Sequence, residues 1–187
     1  MDSIYQNIHQ DLIQQCKEKS SKAQFQVYKL YYKAMYNTCL RILNNELEAE
    51  DIMQESFLAA FEKIETYSGQ VSFGAWLKRI VVNNSLDSLK KKKIEFKSVE
   101  DINNIDSPEE EPESNNKSEY IELKIGKVKE AINSLADGYR IILSLYLIEG
   151  YDHEEIAEIM NITSSTSRSQ LTRAKKKLSE LLTPNSN

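Results

Sequence analysis

The sequence predicts an all-α protein, two small helical domains joined by a flexible acidic linker. Three observations predict it. Apolar residues recur at alternating spacings of three and four, the signature of one helix face, along much of both halves of the chain. No alternation of period two, the strand signature, persists anywhere. Between the halves, residues 94–118 replace periodicity with Pro108, Pro112 and a run of carboxylates. The expected organisation is therefore a domain at 1–93, a linker at 94–118 and a second domain at 119–187.

A short helix is expected near residues 4–18. Residues 22–43 then set Phe25, Tyr28, Tyr32, Met35, Cys39 and Ile42 on one face. Asn44 and Asn45 interrupt the pattern, and Asn45 with Glu48 three residues on forms a capping pair for the next helix. That helix turns Ile52, Met53, Phe57, Ala60, Phe61 and Ile64 inward. "TYSGQVS" (66–72) breaks it, with Gly69 available for a turn. Phe73, Leu77, Ile80, Val81 and Asn84 resume the pattern toward "LKKKK" at 89–93, and Trp76 beside Leu77 and Ile80 fits a core position.

The net charge of −5 over 187 residues is unevenly distributed. Residues 1–93 carry +2, residues 94–119 carry −7, and residues 120–187 are neutral. An acidic, proline-containing stretch cannot bury enough apolar surface to offset its ordering entropy, which is why a flexible linker is expected. Hydrophobic residues at 40% and charged residues at 28% suit folded, soluble domains. No apolar run approaches the ~20 residues that span a bilayer, and "MDSIYQNIHQDLIQQ" lacks the basic start and apolar core of a signal peptide. A cytoplasmic protein without direct membrane insertion is expected. Cys16 and Cys39 read as small buried hydrophobes, and His9 and His153 have no metal-ligand spacing. With no nucleophile–base pair, P-loop or metal set, no catalytic residue, metal or cofactor is expected.

Four helical patterns follow, near 119–134, 138–149, 152–160 and 164–182. The last two have the grammar of a helix-turn-helix. Asp152 and Glu155 make a capping box, Ile156, Ala157 and Met160 face inward, and "NIT" (161–163) forms the turn around Ile162. In the second helix Leu171, Ala174 and Leu178 point inside, leaving Arg168, Ser169, Thr172, Arg173 and Lys176 outside. The first helix of the pair holds Glu154, Glu155 and Glu158, and the second holds Arg168, Arg173, Lys175, Lys176 and Lys177. That polarity suits a second helix entering the DNA major groove, where arginine is the commonest partner of guanine.

"AEDIMQESFLAAFEKI" (49–64), "FGAWLKRIVVNNSLDSLKKKK" (73–93), "LADGYRIILSLYLIEGYDHEEIAEIM" (135–160) and "SSTSRSQLTRAKKKL" (164–178) together resemble an extracytoplasmic-function sigma factor, the compact two-domain branch of the sigma-70 family. The resemblance covers nearly the whole chain. It implies a bacterial transcription initiation factor that binds core RNA polymerase, directs it to promoters through −35 and −10 elements, and aids melting. It also implies a docking face, Asp51, Gln54 and Glu55, for the clamp helices of the polymerase's largest subunit, and contact of the second domain with the flap of the second-largest subunit. With the −10 element as the partner of 73–93, the cations Lys78, Arg79, Lys90 and Lys91 supply phosphate attraction and the amides Asn83 and Asn84 can bond base edges, while the resemblance implies that Asn83 and Asp87 sit near the −10 DNA and that the 66–72 loop receives a flipped base, with Tyr67 as the stacking ring. The −35 contacts implied are Ser165, Thr166, Arg168, Ser169, Thr172, Arg173 and Lys176. An anti-sigma factor is an expected further partner. Two departures stand out: Ser165-Thr166-Ser167 where many members have Gly-Thr-Val, and Lys90-Lys91 where many have two arginines. Lysine keeps the charge and loses the bidentate fork, which suits phosphate contact. The competing reading is a helix-turn-helix repressor or activator that acts on DNA independently of polymerase.

Overall fold

Helix punctuation and apolar periodicity translate into eight α-helices and no strand among the described residues, 9–96 and 117–183, of this computed structural model. They are α1 (Gln10–Lys17), α2 (Ser21–Leu43), α3 (Glu46–Glu62), α4 (Phe73–Phe96), α5 (Lys117–Asn133), α6 (Asp137–Leu143), α7 (His153–Met160) and α8 (Ser164–Leu182). A 3-10 turn, Ile64–Thr66, follows α3, and a π turn, Ser144–Ile148, extends α6. The chain divides into two compact units, Met1–Lys91 and Lys92–Asn187. Helix α4 runs on to Phe96, past the end of its sequence pattern, and α5 already starts at Lys117. Both ends of the expected 94–118 linker are thus helical, and its remainder, 97–116, lies outside the described residues.

In the first unit the two asparagines between α2 and α3 divide the work of ending one helix and starting the next. Asn44 closes α2 at φ 53°, a left-handed conformation that asparagine tolerates, and donates its N–H to the Leu40 carbonyl. Asn45 is extended and accepts the Glu48 N–H at 3.0 Å. The helices then bury Met35, Cys39 and Leu43 of α2 against Met53, Phe57 and Ala60 of α3 and Phe73, Leu77 and Val81 of α4, and Ile42 is buried as well. Cys16 and Cys39 are both fully buried, and burial pushes the Cys16 thiol up from its ordinary range. Phe25 is the exception to the predicted face. It is 59% exposed, because the stripe followed back from Ile42 meets the core at Val27 and Ala23. The Lys29 ammonium lies 5.0 Å from the Phe25 ring centroid.

The second unit packs Leu135, Ile141, Ile142, Leu143 and Leu145 against Ile156 and Ile159 of α7 and Leu171 and Ala174 of α8. In α7 the inward positions are Ile156 and Ile159; Ala157 and Met160, expected inside, are half-buried at the flanks. Arg140 is buried in this core, paired with Asp137 at 2.8 Å and donating to the Leu135 carbonyl at 3.4 Å. Gly150, at φ 81°, makes the left-handed turn that hands the chain to α7, a conformation costly to any residue with a Cβ.

Candidate nucleic-acid interface and docking face

The α7–α8 pair is fixed by local hydrogen bonds at each of its corners. Asp152 accepts the Glu155 N–H at 2.8 Å, and the Glu155 carboxylate accepts the Asp152 N–H at 2.9 Å, completing the capping box. Helix α7 ends at Asn161 in the left-handed region, φ 55°, where the Ile162 N–H returns to the Ala157 carbonyl at 2.9 Å. Thr163 then caps α8 by accepting the Thr166 N–H at 3.1 Å. With Leu171 and Ala174 turned inward, α8 presents Ser165, Arg168, Ser169, Thr172, Arg173 and Lys176 to solvent. Ser169 and Thr172 donate their hydroxyls to the carbonyls of Ser165 and Arg168, at 2.9 and 3.0 Å, leaving the oxygens able to accept outward. Thr166 is less available: it is half-buried and its hydroxyl lies 2.8 Å from that of Thr163.

Ser167, the polar departure at the start of α8, faces inward. It is fully buried, its hydroxyl 2.8 Å from His153 Nδ1, and the His153 ring stacks on Tyr146 with centroids 4.7 Å apart. One residue further along each helix, Arg168 Nη2 meets Glu154 Oε1 at 3.0 Å. These two cross-helix pairs are absent from any sequence pattern, since their members are separated by a whole helix and a turn.

On α3, Asp51, Gln54 and Glu55 are all exposed and share a face, flanked by Leu47 at 78% and Leu58 at 65% exposure. Gln54 Nε2 lies 3.4 Å from Glu50 Oε1. On α4, Asn83, Asp87, Lys90 and Lys91 form an exposed stripe at spacings of three and four, with Lys90 and Asp87 3.3 Å apart. Lys78 and Arg79 are half-buried.

Two expected −10 contacts point elsewhere. Asn84 is half-buried and its Nδ2 donates to the Ser56 hydroxyl of α3 at 3.0 Å, which in turn donates to the Ile52 carbonyl at 2.6 Å. This amide ties two helices together instead of facing outward. Tyr67 is 6% exposed, the opposite of an outward stacking ring. Its ring meets Phe73 edge-on at 5.5 Å and Trp76 at 5.4 Å, and its hydroxyl donates to the Val71 carbonyl at 2.8 Å. Lys17 of α1 holds the Tyr67 carbonyl at 3.2 Å, so the loop is drawn onto the core from both sides. A second α3–α4 tie, unforeseen in the sequence, runs from the Ser88 hydroxyl to Glu48 Oε1 at 2.7 Å.

Residues 27–94 match the family model for Sigma-70 region 2, and residues 125–178 that for Sigma-70, region 4. Over 183 residues the chain is 30% identical to the ECF RNA polymerase sigma factor SigW of Bacillus subtilis (strain 168), covering 91% of this chain and 94% of that one. The chain belongs to the extracytoplasmic-function sigma factors. This sigma factor is also 28% identical over 188 residues to the ECF RNA polymerase sigma-E factor of Haemophilus influenzae, covering 94% and 95% of the two chains. The sigma factor RpoE of Bartonella quintana, solved with the anti-sigma factor NepR, shares its fold at a TM-score of 0.61 and 24% identity, over 86% of this chain and 96% of that one.

As a sigma factor it is a transcription initiation factor that directs RNA polymerase to promoters, which sets aside a polymerase-independent repressor. The region 2 match spans α3 and the exposed stripe of α4, and the region 4 match spans the helix-turn-helix. No helix among its described residues is long and apolar enough to cross a membrane.

Proposed function

We propose that this sigma factor divides promoter recognition between two domains, 1–93 and 119–187, joined by the acidic linker at 94–118. Asp51, Gln54 and Glu55 dock on the clamp helices of the largest polymerase subunit. Lys78, Arg79, Asn83, Asp87, Lys90 and Lys91 line the path of the −10 element. Ser165, Thr166, Arg168, Ser169, Thr172, Arg173 and Lys176 face the −35 duplex, while the second domain also meets the flap of the second-largest subunit. The observation that carries this reading is the segregation of charge on exposed helix faces: carboxylates and an amide on α3, cations on α8. A carboxylate face repels DNA and complements a basic protein surface, whereas arginines and lysines on the second helix of a helix-turn-helix suit guanine edges and phosphates.

Melting in this scheme runs on binding energy. Each base of the −10 element captured in its unpaired state displaces the duplex equilibrium toward opening, and no bond is made or broken by this chain. The protein acts in the cytoplasm. An anti-sigma factor holds it inactive, a proposal supported by the company in which related folds have been solved.

Transcription of fragmented genomic DNA by core polymerase, with and without this protein, tests the scheme through mapped RNA 5′ ends. New starts that share two upstream elements at a fixed spacing are the expected result. Starts unchanged by the protein, with tight binding of duplex DNA by the protein alone, would overturn it.

A further inference from the structure

We propose that Glu154 of α7 determines promoter specificity by holding Arg168 of α8 for a guanine edge and against the phosphates. The proposal rests on the reading of α8 as the −35 contact. Arg168 sits near the N-terminal end of α8, the part of a recognition helix that reaches base edges, whereas Arg173, Lys175, Lys176 and Lys177 follow further along. It pairs across to the neighbouring helix, Nη2 to Glu154 Oε1 at 3.0 Å. The Lys177–Glu180 pair at 2.8 Å, by contrast, lies within α8 itself.

The side chains of Arg168 and Glu154 are 54% and 67% exposed, so their bond contributes little to folding. A carboxylate at a DNA-facing surface also weakens binding by repelling phosphate. A carboxylate in the first turn of α7 gains from the helix dipole, but neither that gain nor affinity accounts for its reaching across to Arg168. Orientation does. The guanidinium carries five N–H groups in a rigid fork, and one bond to Glu154 leaves others directed outward for the O6 and N7 acceptors of guanine. The backbone beneath it is already fixed, since the adjacent Ser167 is buried against His153 and Thr163 caps the helix. Glu154 removes the remaining freedom, that of a long side chain which would otherwise swing to the nearest phosphate.

Glu154→Gln keeps the shape and removes the charge, and the proposal then requires two effects of opposite sign. Using holoenzyme assembled from core polymerase and the full chain, affinity is measured for non-promoter duplex and for a mapped promoter with each −35 base pair replaced in turn. Non-promoter binding should tighten. Discrimination at one base pair should fall roughly fivefold, a fraction of what a good arginine–guanine pair supplies. Arg168→Ala should erase discrimination at that same base pair, and Glu154→Gln should add nothing in its background. If Glu154→Gln retains discrimination at every position while Arg168→Ala loses it at one, the positioning role falls and the −35 reading stands. If Arg168→Ala alters no position, the −35 role of Arg168 falls and the proposal with it. A fivefold loss from Glu154→Gln that persists without Arg168 also overturns the proposal. Damage to the fold weakens both kinds of binding together, and a thermal midpoint of Glu154→Gln lowered by no more than the few degrees that loss of a first-turn carboxylate costs checks for it.

Discussion

Asn83 and Asn84 are neighbours in sequence, yet the structure leaves one exposed and bonds the other to α3, and replacing each by alanine tests the separate roles proposed for them. The Ser56 hydroxyl is fully buried; it donates to the Ile52 carbonyl at 2.6 Å and accepts from Asn84 Nδ2 at 3.0 Å. Asn84→Ala removes one of the two side-chain ties described between α3 and α4 and strips a partner from a buried oxygen. A neutral hydrogen bond of this kind contributes about 1 kcal/mol, and a buried group left short of a partner raises the cost to about 2 kcal/mol. In a unit of this size each kcal/mol lowers the melting midpoint by about 4–8 °C, so a fall of roughly 5–15 °C is expected. Trp76, the single tryptophan, lies in the same unit beside Phe73, so its fluorescence follows this unit's unfolding. A double-mutant cycle with Ser56→Ala should return a coupling of about 1 kcal/mol. Asn83→Ala, at an exposed position, should leave the midpoint within about 2–4 °C while weakening −10 capture. If Asn84→Ala melts like the parent protein and instead abolishes promoter opening, the amide contacts DNA and the inter-helix assignment is wrong.

The same logic gives further tests. Tyr67→Phe should cost about 1 kcal/mol through the lost bond to Val71 and Tyr67→Ala about 3–5 kcal/mol, read by thermal melting; an unchanged midpoint with impaired melting of the −10 element would restore the base-stacking role. Asp51→Ala combined with Glu55→Ala should leave stability unaltered and weaken core-polymerase binding at least about tenfold at low salt; full affinity in a titration against core polymerase would remove α3 from the docking interface. Asp152→Ala should lower the stability of the second unit by about 1 kcal/mol through loss of the capping box, and an unaltered unfolding transition for that unit would contradict the role given to the cap.

What was legible in the sequence lies within a few residues along the chain. Asn45 with Glu48 and Asp152 with Glu155 form their bonds at a spacing of three, so residue type and spacing suffice to foresee them. The inner stripe of α8, Leu171 and Ala174, follows from the 3.6-residue repeat for the same reason. What escaped depends on partners far away in sequence. Asn84 finds Ser56 at a separation of 28 residues and Ser88 finds Glu48 at 40, while Tyr67 is drawn down by Lys17 at 50. Asn84 already falls on the apolar stripe of Leu77, Ile80 and Val81, yet a polar side chain beside a cationic stretch also suits DNA, and the distant Ser56 is what decides between the two.

That commitment has a consequence for the exposed face of α4. Successive helix residues point about 100° apart, so with Asn84 committed to α3, Asn83 turns to the side and shares its exposed direction with Asp87 and Lys90, while Lys91, seven residues on from Asn84, lies nearer Asn84's side of the helix. In the proposed scheme this stripe of α4 therefore offers DNA one amide, Asn83, for base edges and two cations, Lys90 and Lys91, for phosphate, with Asp87 paired to Lys90 between them. The bonds from Asn84 and Ser88 to α3 hold that stripe in a fixed rotation relative to Asp51, Gln54 and Glu55. Loosening either bond should therefore degrade promoter opening by polymerase more than it degrades binding to polymerase, because only opening requires both faces to be correctly set at once.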